Sequence, residues 1–218
     1  MGSGEVTMRI IKEHDVRKNE ILDKAEGLFY TKGFTKTTIN DILQDVGIAK
    51  GTFYYYFKSK EEVMHAIVNR IVDYDLEIAE SIVQDTRLTV YDKLLKIMIS
   101  QGQESRERSH KKELTEQFHQ PGNEIIHQYT LAIIIKKLSP ILADVVREGI
   151  EEGLFHVNKV QETIEILFAG AEFIFDIGSF NWTNEEKTER VIAFLELMEQ
   201  ALGAKKGSFS YLISIFIK

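Results

Sequence analysis

Apolar residues recur along most of this chain at helical spacing, and no useful length of alternating pattern occurs before its last ten residues. Between Val16 and Lys32 the stripe runs through Ile21, Leu22, Ala25, Leu28 and Phe29, and Gly33 closes it. Ile39, Ile42, Leu43 and Val46 mark a short amphipathic helix over Thr38–Val46, with Asn40, Asp41, Gln44 and Asp45 on its other side. Gly47 supplies the left-handed residue that stops it. Lys50–Phe57 restarts with Phe53 and Phe57 four apart on the inner side, and Phe34 fills the junction of these three helices. Ser59, with Glu62 three residues on, reads as the cap of a long helix striped by Val63, Ile67, Ile71, Tyr74 and Ile78 and running toward Val83. Thr89 to about Arg106 is a further helix with Leu94, Leu95, Ile97 and Met98 inward, followed by the charged run ESRERSHKKE as a solvated face or loop. Leu114–His119 is a short segment, Pro121-Gly122 either ends it or starts the next one, and Ile125 to about Glu152 is a long striped one in which Ser139-Pro140 is a place for a kink. Val160–Phe180 and Glu185–Leu202 are the closing pair, and the trio Ala169, Gly170, Ala171 permits close helix approach.

The pattern predicts an all-α protein: a three-helix head over residues 15–60 and a larger helical body over 61–205. Residues 1–14 form a polar, glycine-bearing start, either disordered or the remnant of a tag, with Met8 as an alternative initiator. Residues 206–218 form an apolar tail that either covers the body or dimer surface, swaps onto a partner, or is foreign to the fold; left exposed it is an aggregation hazard. The long helix after Ser59 joins head to body, so a shift at its far end would reorient the head as a rigid unit.

Charge sharpens this division. The net charge is −7, but residues 1–60 carry 10 Lys and Arg against 8 Asp and Glu, and the remainder carries 17 against 26. A mildly basic head on an acidic body turns the head toward polyanions. The absence of cysteine excludes disulfides, thiolate zinc sites and cysteine nucleophiles, and fits a reducing cytoplasm. No apolar run approaches the roughly 18 to 20 residues a membrane-spanning helix needs, so no membrane partner is expected.

The chemistry lies in Thr37–Lys60, which reads as two short helices across a tight turn. Four consecutive aromatics, Phe53 to Tyr56, occupy roughly 400° of helix, so they cannot all face one core. With Phe53 and Phe57 inward, Lys50, Thr52, Tyr54 and Tyr55 ring the outer surface. Lys50 and Tyr55 are the base-edge candidates; Thr38 and Asn40 can reach phosphate and base respectively, Lys60 reads as a phosphate clamp, and Lys36 and Lys58 as auxiliaries. One such head reads few base pairs, so specific binding needs two heads about 34 Å apart, or a multiple of that, on a palindromic site.

Thr37, Thr38, Ile42, Gly47, then Gly51-Thr52-Phe53-Tyr54-Tyr55-Tyr56-Phe57-Lys58, and Ser59 to Glu62, resemble the amino-terminal domain of the tetracycline-repressor (TetR) family of bacterial transcriptional regulators. The resemblance covers about residues 15–65. It implies a helix-turn-helix DNA-binding head, with Thr52 and Tyr54 on the DNA backbone and Gly51 within the contact. It also implies a body that binds a small-molecule effector and dimerises by its last two helices, and a cytoplasmic repressor released from its operator by that effector. The dimer candidates are Leu167, Gly170, Ala171, Ile174, Val191, Phe194, Leu195 and Met198. Ordinary intrachain core is the other reading of the same stripes.

The effector itself is unknown from the sequence. Phe118, His119, Tyr129, Phe173 and Trp182 are candidate lining residues, because apolar sites with a few polar groups take small molecules. Two rival readings stay open. One is a protein-interaction module built on the aromatic helix. The other is a dimetal-carboxylate bundle on the Glu-x-x-His pairs Glu116/His119 and Glu124/His127, which Pro121-Gly122 interrupts. No nucleophile elbow, glycine-rich phosphate loop or Ser-His-Asp arrangement is present, so neither an enzyme nor a cofactor is expected.

Overall fold

The computed structural model describes residues 3–102, 123–175 and 180–213, without the side chains of 3–13, 101 and 102. Among these the protein is all-helical: α1 (Ser3–Lys32), α2 (Ile39–Val46), α3 (Lys50–Tyr56), α4 (Lys60–Gln84), α5 (Val90–Gly102), α6 (Glu124–Glu151), α7 (Val160–Ile174) and α8 (Asn184–Leu202), then one 3-10 turn, Ser210–Leu212. None of these helices is long and apolar enough to cross a membrane. The chain divides into two compact units, one of Met1–Ile71 with Arg106–Thr130 and one of Val72–Ser105 with Leu131–Lys218.

In the first unit, Ile21, Leu22, Ala25 and Phe29 of α1 are buried with Phe34, Ile42, Phe53, Phe57, Val63, Met64 and Ile67. This is the inward set that the stripes predict. α1 begins at Ser3, well before the predicted Val16, because no proline or glycine interrupts the chain between Gly4 and Gly27. Residues past 60 also join this unit. Ile126 is buried, and the buried Asn123 accepts from the Phe34 amide through Oδ1 (2.7 Å) and donates from Nδ2 to the Phe29 carbonyl (3.3 Å). A side chain just before α6 therefore closes the end of α1.

The second unit is built around Val90, Leu94, Ile97, Leu138, Val145, Val146, Phe155, Ile164, Leu167, Val191, Leu195 and Leu202. Lys93, deeply buried in it, is satisfied by both carboxylate oxygens of Glu148 at 2.7 and 2.6 Å. Pro140 lies inside α6, which continues through it. α7 stops at Ile174, short of the predicted Phe180: the Phe175 N–H donates to the Ala171 carbonyl at its end, and the Trp182 indole N–H donates to the Ile174 carbonyl at 3.3 Å. α8 opens on a reciprocal cap in which the Thr183 hydroxyl accepts from the Glu186 amide and the Glu186 carboxylate accepts from the Thr183 amide.

The apolar tail, as far as Ile213, covers the body of its own chain. Phe209 and Leu212 are fully buried, and the Phe209 ring lies 5.9 Å from those of Tyr91 and Phe155. The Phe209 amide donates to Glu199 Oε1 (3.1 Å), and the Tyr211 hydroxyl donates to the Tyr91 carbonyl (3.2 Å).

Candidate nucleic-acid interface

The two helices of the motif are held in different ways. α2 is fixed locally. Thr38 caps it with its hydroxyl accepting from the Asp41 amide (3.2 Å), and Asp41 Oδ2 accepts from the Thr38 amide (2.7 Å). The same oxygen takes the Lys32 ammonium at 2.6 Å, and these contacts, Lys32 first, hold the Asp41 carboxyl well below the usual carboxylate range. Gly47 ends the helix at φ 75°. α3 has no side-chain cap at Ala49 and is anchored by Phe53 and Phe57, both buried.

Tyr54 and Tyr55, the predicted outward pair, are 45% and 72% exposed. Tyr54 is braced within its own helix, edge-on to Phe53 (5.5 Å) and with the Lys50 ammonium 5.9 Å above its ring. Tyr55 is braced by Tyr56 (5.0 Å, 89°) and by a residue that the sequence reading leaves outside the fold, His14 of α1. The stripe in α1 gives no signal for it, because His14 precedes the first apolar position.

The cations sort into two groups. Arg17, Lys24, Lys32 and Arg70 are paired with Glu20, Asp45, Asp41, and Asp23 plus Glu26 respectively. Lys36, Lys50 and Lys58 are exposed and form no ion pair among the described residues. They stand with the exposed Asn40, Gly51, Tyr54 and Tyr55 and the half-buried Thr52 on the elements flanking the turn. A side-chain carbon built on Gly51 meets nothing within 4 Å, so no contact within the chain requires glycine there.

Two of the predicted contacts are revised by this geometry. Lys60 does not extend from the head as a phosphate clamp: its ammonium donates to the Phe34 carbonyl (2.7 Å) and the Thr37 carbonyl (2.9 Å) and lies 4.2 Å above the Phe34 ring. Partial burial lowers its pKa accordingly. These two carbonyls of the α1–α2 connection capture it because neither has a partner within a helix. Thr38 uses its hydroxyl proton on Asp41 Oδ2 (2.7 Å), so the same hydroxyl does not donate outward.

In the second unit the predicted dimer residues differ in burial within their own chain. Leu167, Val191 and Leu195 are buried in their own chain, and Ala171, Ile174, Phe194 and Met198 are half-buried, with Phe194 edge-on to Phe175. Only Gly170 of the predicted set is exposed, and it lines up with Ile166 (73% exposed) and Phe173 (57%) at spacings of four and three. On α8 the outward apolar residues are Ile192, Ala193 and Leu197. Each helix carries two apolar stripes, and periodicity alone does not say which is the inner one.

Of the predicted ligand-lining residues that are described, Tyr129 falls in the first unit and Phe173 and Trp182 in the second. Phe118 and His119 lie outside the described residues. Tyr129 belongs to the first unit, stacked at 4.0 Å on His65, whereas Trp182 belongs to the second, stacked on Phe180 (4.9 Å) under the Arg190 guanidinium (3.5 Å). Phe173 meets that cluster through Phe180. Of the Glu-x-x-His pairs, Glu116/His119 is likewise outside the described residues, and Glu124/His127 joins no group of three potential metal ligands among them.

Residues 21–67 match the family model described as bacterial regulatory proteins, tetR family, and residues 106–197 match one described as tetracyclin repressor-like, C-terminal domain. A helix-turn-helix-type transcriptional regulator of Lactococcus lactis subsp. lactis is 49% identical over 55 residues, 25% of this chain and 28% of that protein. The chain thus spans under a third of that relative's length. The repressor KstR2 of Mycobacterium tuberculosis strain H37Rv is 27% identical over 150 residues, 67% of this chain and 73% of KstR2. The solved structure of RolR with its ligand resorcinol shares the fold, with a TM-score of 0.61 over 94% of this chain and 96% of that one at 14% identity.

Proposed function

We propose that this chain, which belongs to the tetR family of bacterial regulatory proteins, is a DNA-binding transcriptional repressor whose hold on a palindromic operator is released by a small-molecule effector. The observation that carries the reading is the outer face of α3 and its turn. Two braced, exposed tyrosines share α3 with Lys50, the flanking segments add Lys36 and Lys58, and none of the three lysines forms an ion pair among the described residues, while Phe53 and Phe57 turn the other side to the core. Such a face offers flat apolar surface, hydroxyl donors and free cations to a groove and its phosphates. Lys50 and Tyr55 read base edges. Asn40 reaches a base, Thr52, Tyr54, Lys36 and Lys58 grip the backbone, and the open space over Gly51 lets that backbone approach α3 closely. The α8 face with Ile192, Ala193 and Leu197 and the α7 face with Ile166, Gly170 and Phe173 pair with a second copy, which supplies the second head. The second unit, with α7 and α8, is the effector-binding and dimerisation part; no step of catalysis is assigned to it.

Fluorescence anisotropy against the DNA upstream of the chain's own coding sequence, with a scrambled duplex at the same salt, tests this. Binding about a thousandfold tighter to the first duplex supports the reading. Equal, weak binding to both, with no sequence enriched from a random pool, overturns it in favour of a protein partner for the aromatic helix.

A further inference from the structure

We propose that His14 is a positioning residue for DNA recognition: its ring, projecting from α1, holds Tyr55 and Tyr56 of α3 in the orientation in which Tyr55 meets DNA. This rests on the DNA-binding reading above. The three rings form one cluster. His14 lies 5.7 Å from Tyr55 at 72° and 4.7 Å from Tyr56 at 45°, and the two tyrosines lie 5.0 Å apart at 89°. The two contacts of Tyr55 are edge-to-face, a preferred geometry for aromatic pairs, and the His14–Tyr56 contact is tilted.

The asymmetry between the two exposed tyrosines shows why a contact from α1 matters. Tyr54 is held by Phe53, which is fully buried, so its brace is part of the core. Tyr55 is the more exposed of the two, and its neighbour Tyr56 is only half-buried. Among the described residues, His14 supplies the ring contacts that the Tyr55–Tyr56 pair makes outside α3. A side chain left free on the surface loses rotamer freedom when DNA immobilises it, whereas one already held does not. The polar edge of the imidazole is turned to Asp15, with Nδ1 3.5 Å from Oδ1, which leaves the ring's apolar surface for the tyrosines. α1 reaches this position only because it begins ahead of the three-helix core, so the extension acquires a role in recognition.

The test uses the full chain and the duplex that the wild type enriches from a random-sequence pool, with a scrambled duplex beside it. His14→Ala is expected to weaken the enriched duplex about three- to tenfold, the worth of immobilising one side chain, and to leave the scrambled duplex unchanged. His14→Phe, which keeps the ring and removes its nitrogens, is expected to restore binding. In a Tyr55→Ala background His14→Ala is expected to cost nothing further, because the group it positions is gone. Equal weakening of both duplexes by His14→Ala would mean a charge contact with phosphate and would overturn the proposal. Failure of His14→Phe to rescue, or a full His14→Ala penalty without Tyr55, would do the same. If the wild type enriches no sequence at all, the DNA-binding reading falls and takes this proposal with it.

Discussion

Replacing Lys60 with methionine separates two jobs that one ammonium can do at the start of α4. The substitution keeps the aliphatic stem and removes the donor, which leaves the carbonyls of Phe34 and Thr37 without a partner they now have at 2.7 and 2.9 Å. Hydrogen bonds to a charged group contribute roughly 1.5–3 kcal/mol each, and an exposed cation–π contact adds about 0.5–1 kcal/mol. Lys60 is only half-buried, so water replaces part of what is lost, and partial desolvation of the ammonium already offsets some of the gain. A net loss of about 2 kcal/mol remains, which for a chain of this length lowers the melting temperature by about 4–8 °C. Thermal unfolding followed by circular dichroism measures that loss. DNA titrations across salt concentrations measure the other role, since each phosphate contact removed lowers the slope of log K against log salt by about 0.9. The expected result is a drop in melting temperature with the salt slope unchanged. An unchanged melting temperature with a lower slope would show that Lys60 holds phosphate after all, and would refute the strut argument.

The outward stripe of the closing helices predicts a contrast between neighbours: Leu197→Glu should leave the chain folded and monomeric in sedimentation velocity, while Leu195→Glu should unfold it, because Leu195 is core. If Leu197→Glu stays dimeric, the interface lies elsewhere. Phe209→Ala removes a ring packed on Tyr91 and Phe155 and should cost about 3–5 kcal/mol in urea unfolding, a loss that a dispensable tail would not show. Acid should loosen α2 through Asp41. Its carboxyl is held below the usual range when folded, so the stabilisation is complete above the ordinary carboxylate pKa and is lost as pH falls through the lower folded value. Asp41→Asn should flatten that part of the acid unfolding curve, and an unaltered curve would mean the Lys32 contact is inert.

Much of the head was legible because its signals are local. The spacing of Ile21, Leu22, Ala25 and Phe29, the left-handed glycine at 47 and the impossibility of burying four consecutive aromatics each constrain a few adjacent residues, and each holds in the structure. What escaped the sequence is every contact whose partner is distant along the chain. Lys60 finds carbonyls 23 and 26 residues away, and Asn123 reaches back 89 residues to Phe34. Nothing in the periodicity of either segment encodes those pairings. The same limit applies to the closing helices: Leu167 and Ile166 are adjacent in sequence, and only the packing of α7 decides that the first is core and the second faces out.

The contrast between α2 and α3 points to where selection for binding has displaced selection for helix stability. α2 has a reciprocal cap at Thr38 and a glycine stop, so its local sequence agrees with its fold. α3 is seven residues long, reads Lys-Gly-Thr-Phe-Tyr-Tyr-Tyr and has no side-chain cap, a composition of weak helix formers with a glycine near its start. Isolated, it would not be helical; Phe53 and Phe57 keep it so by burial. Gly51 alone disfavours the helix by about 0.8–1 kcal/mol relative to alanine, and the space around it would accept a side chain. Local preference and tertiary structure disagree on this helix, and apart from the buried Phe53 the weak helix formers have exposed or half-exposed surfaces. Conflicts of that kind are expected at functional sites, where a residue is kept for what it touches outside the chain. The poor helix formers at 51, 52 and 54 to 56 thus mark the same face that the exposed tyrosines and unpaired lysines mark, by an argument independent of either.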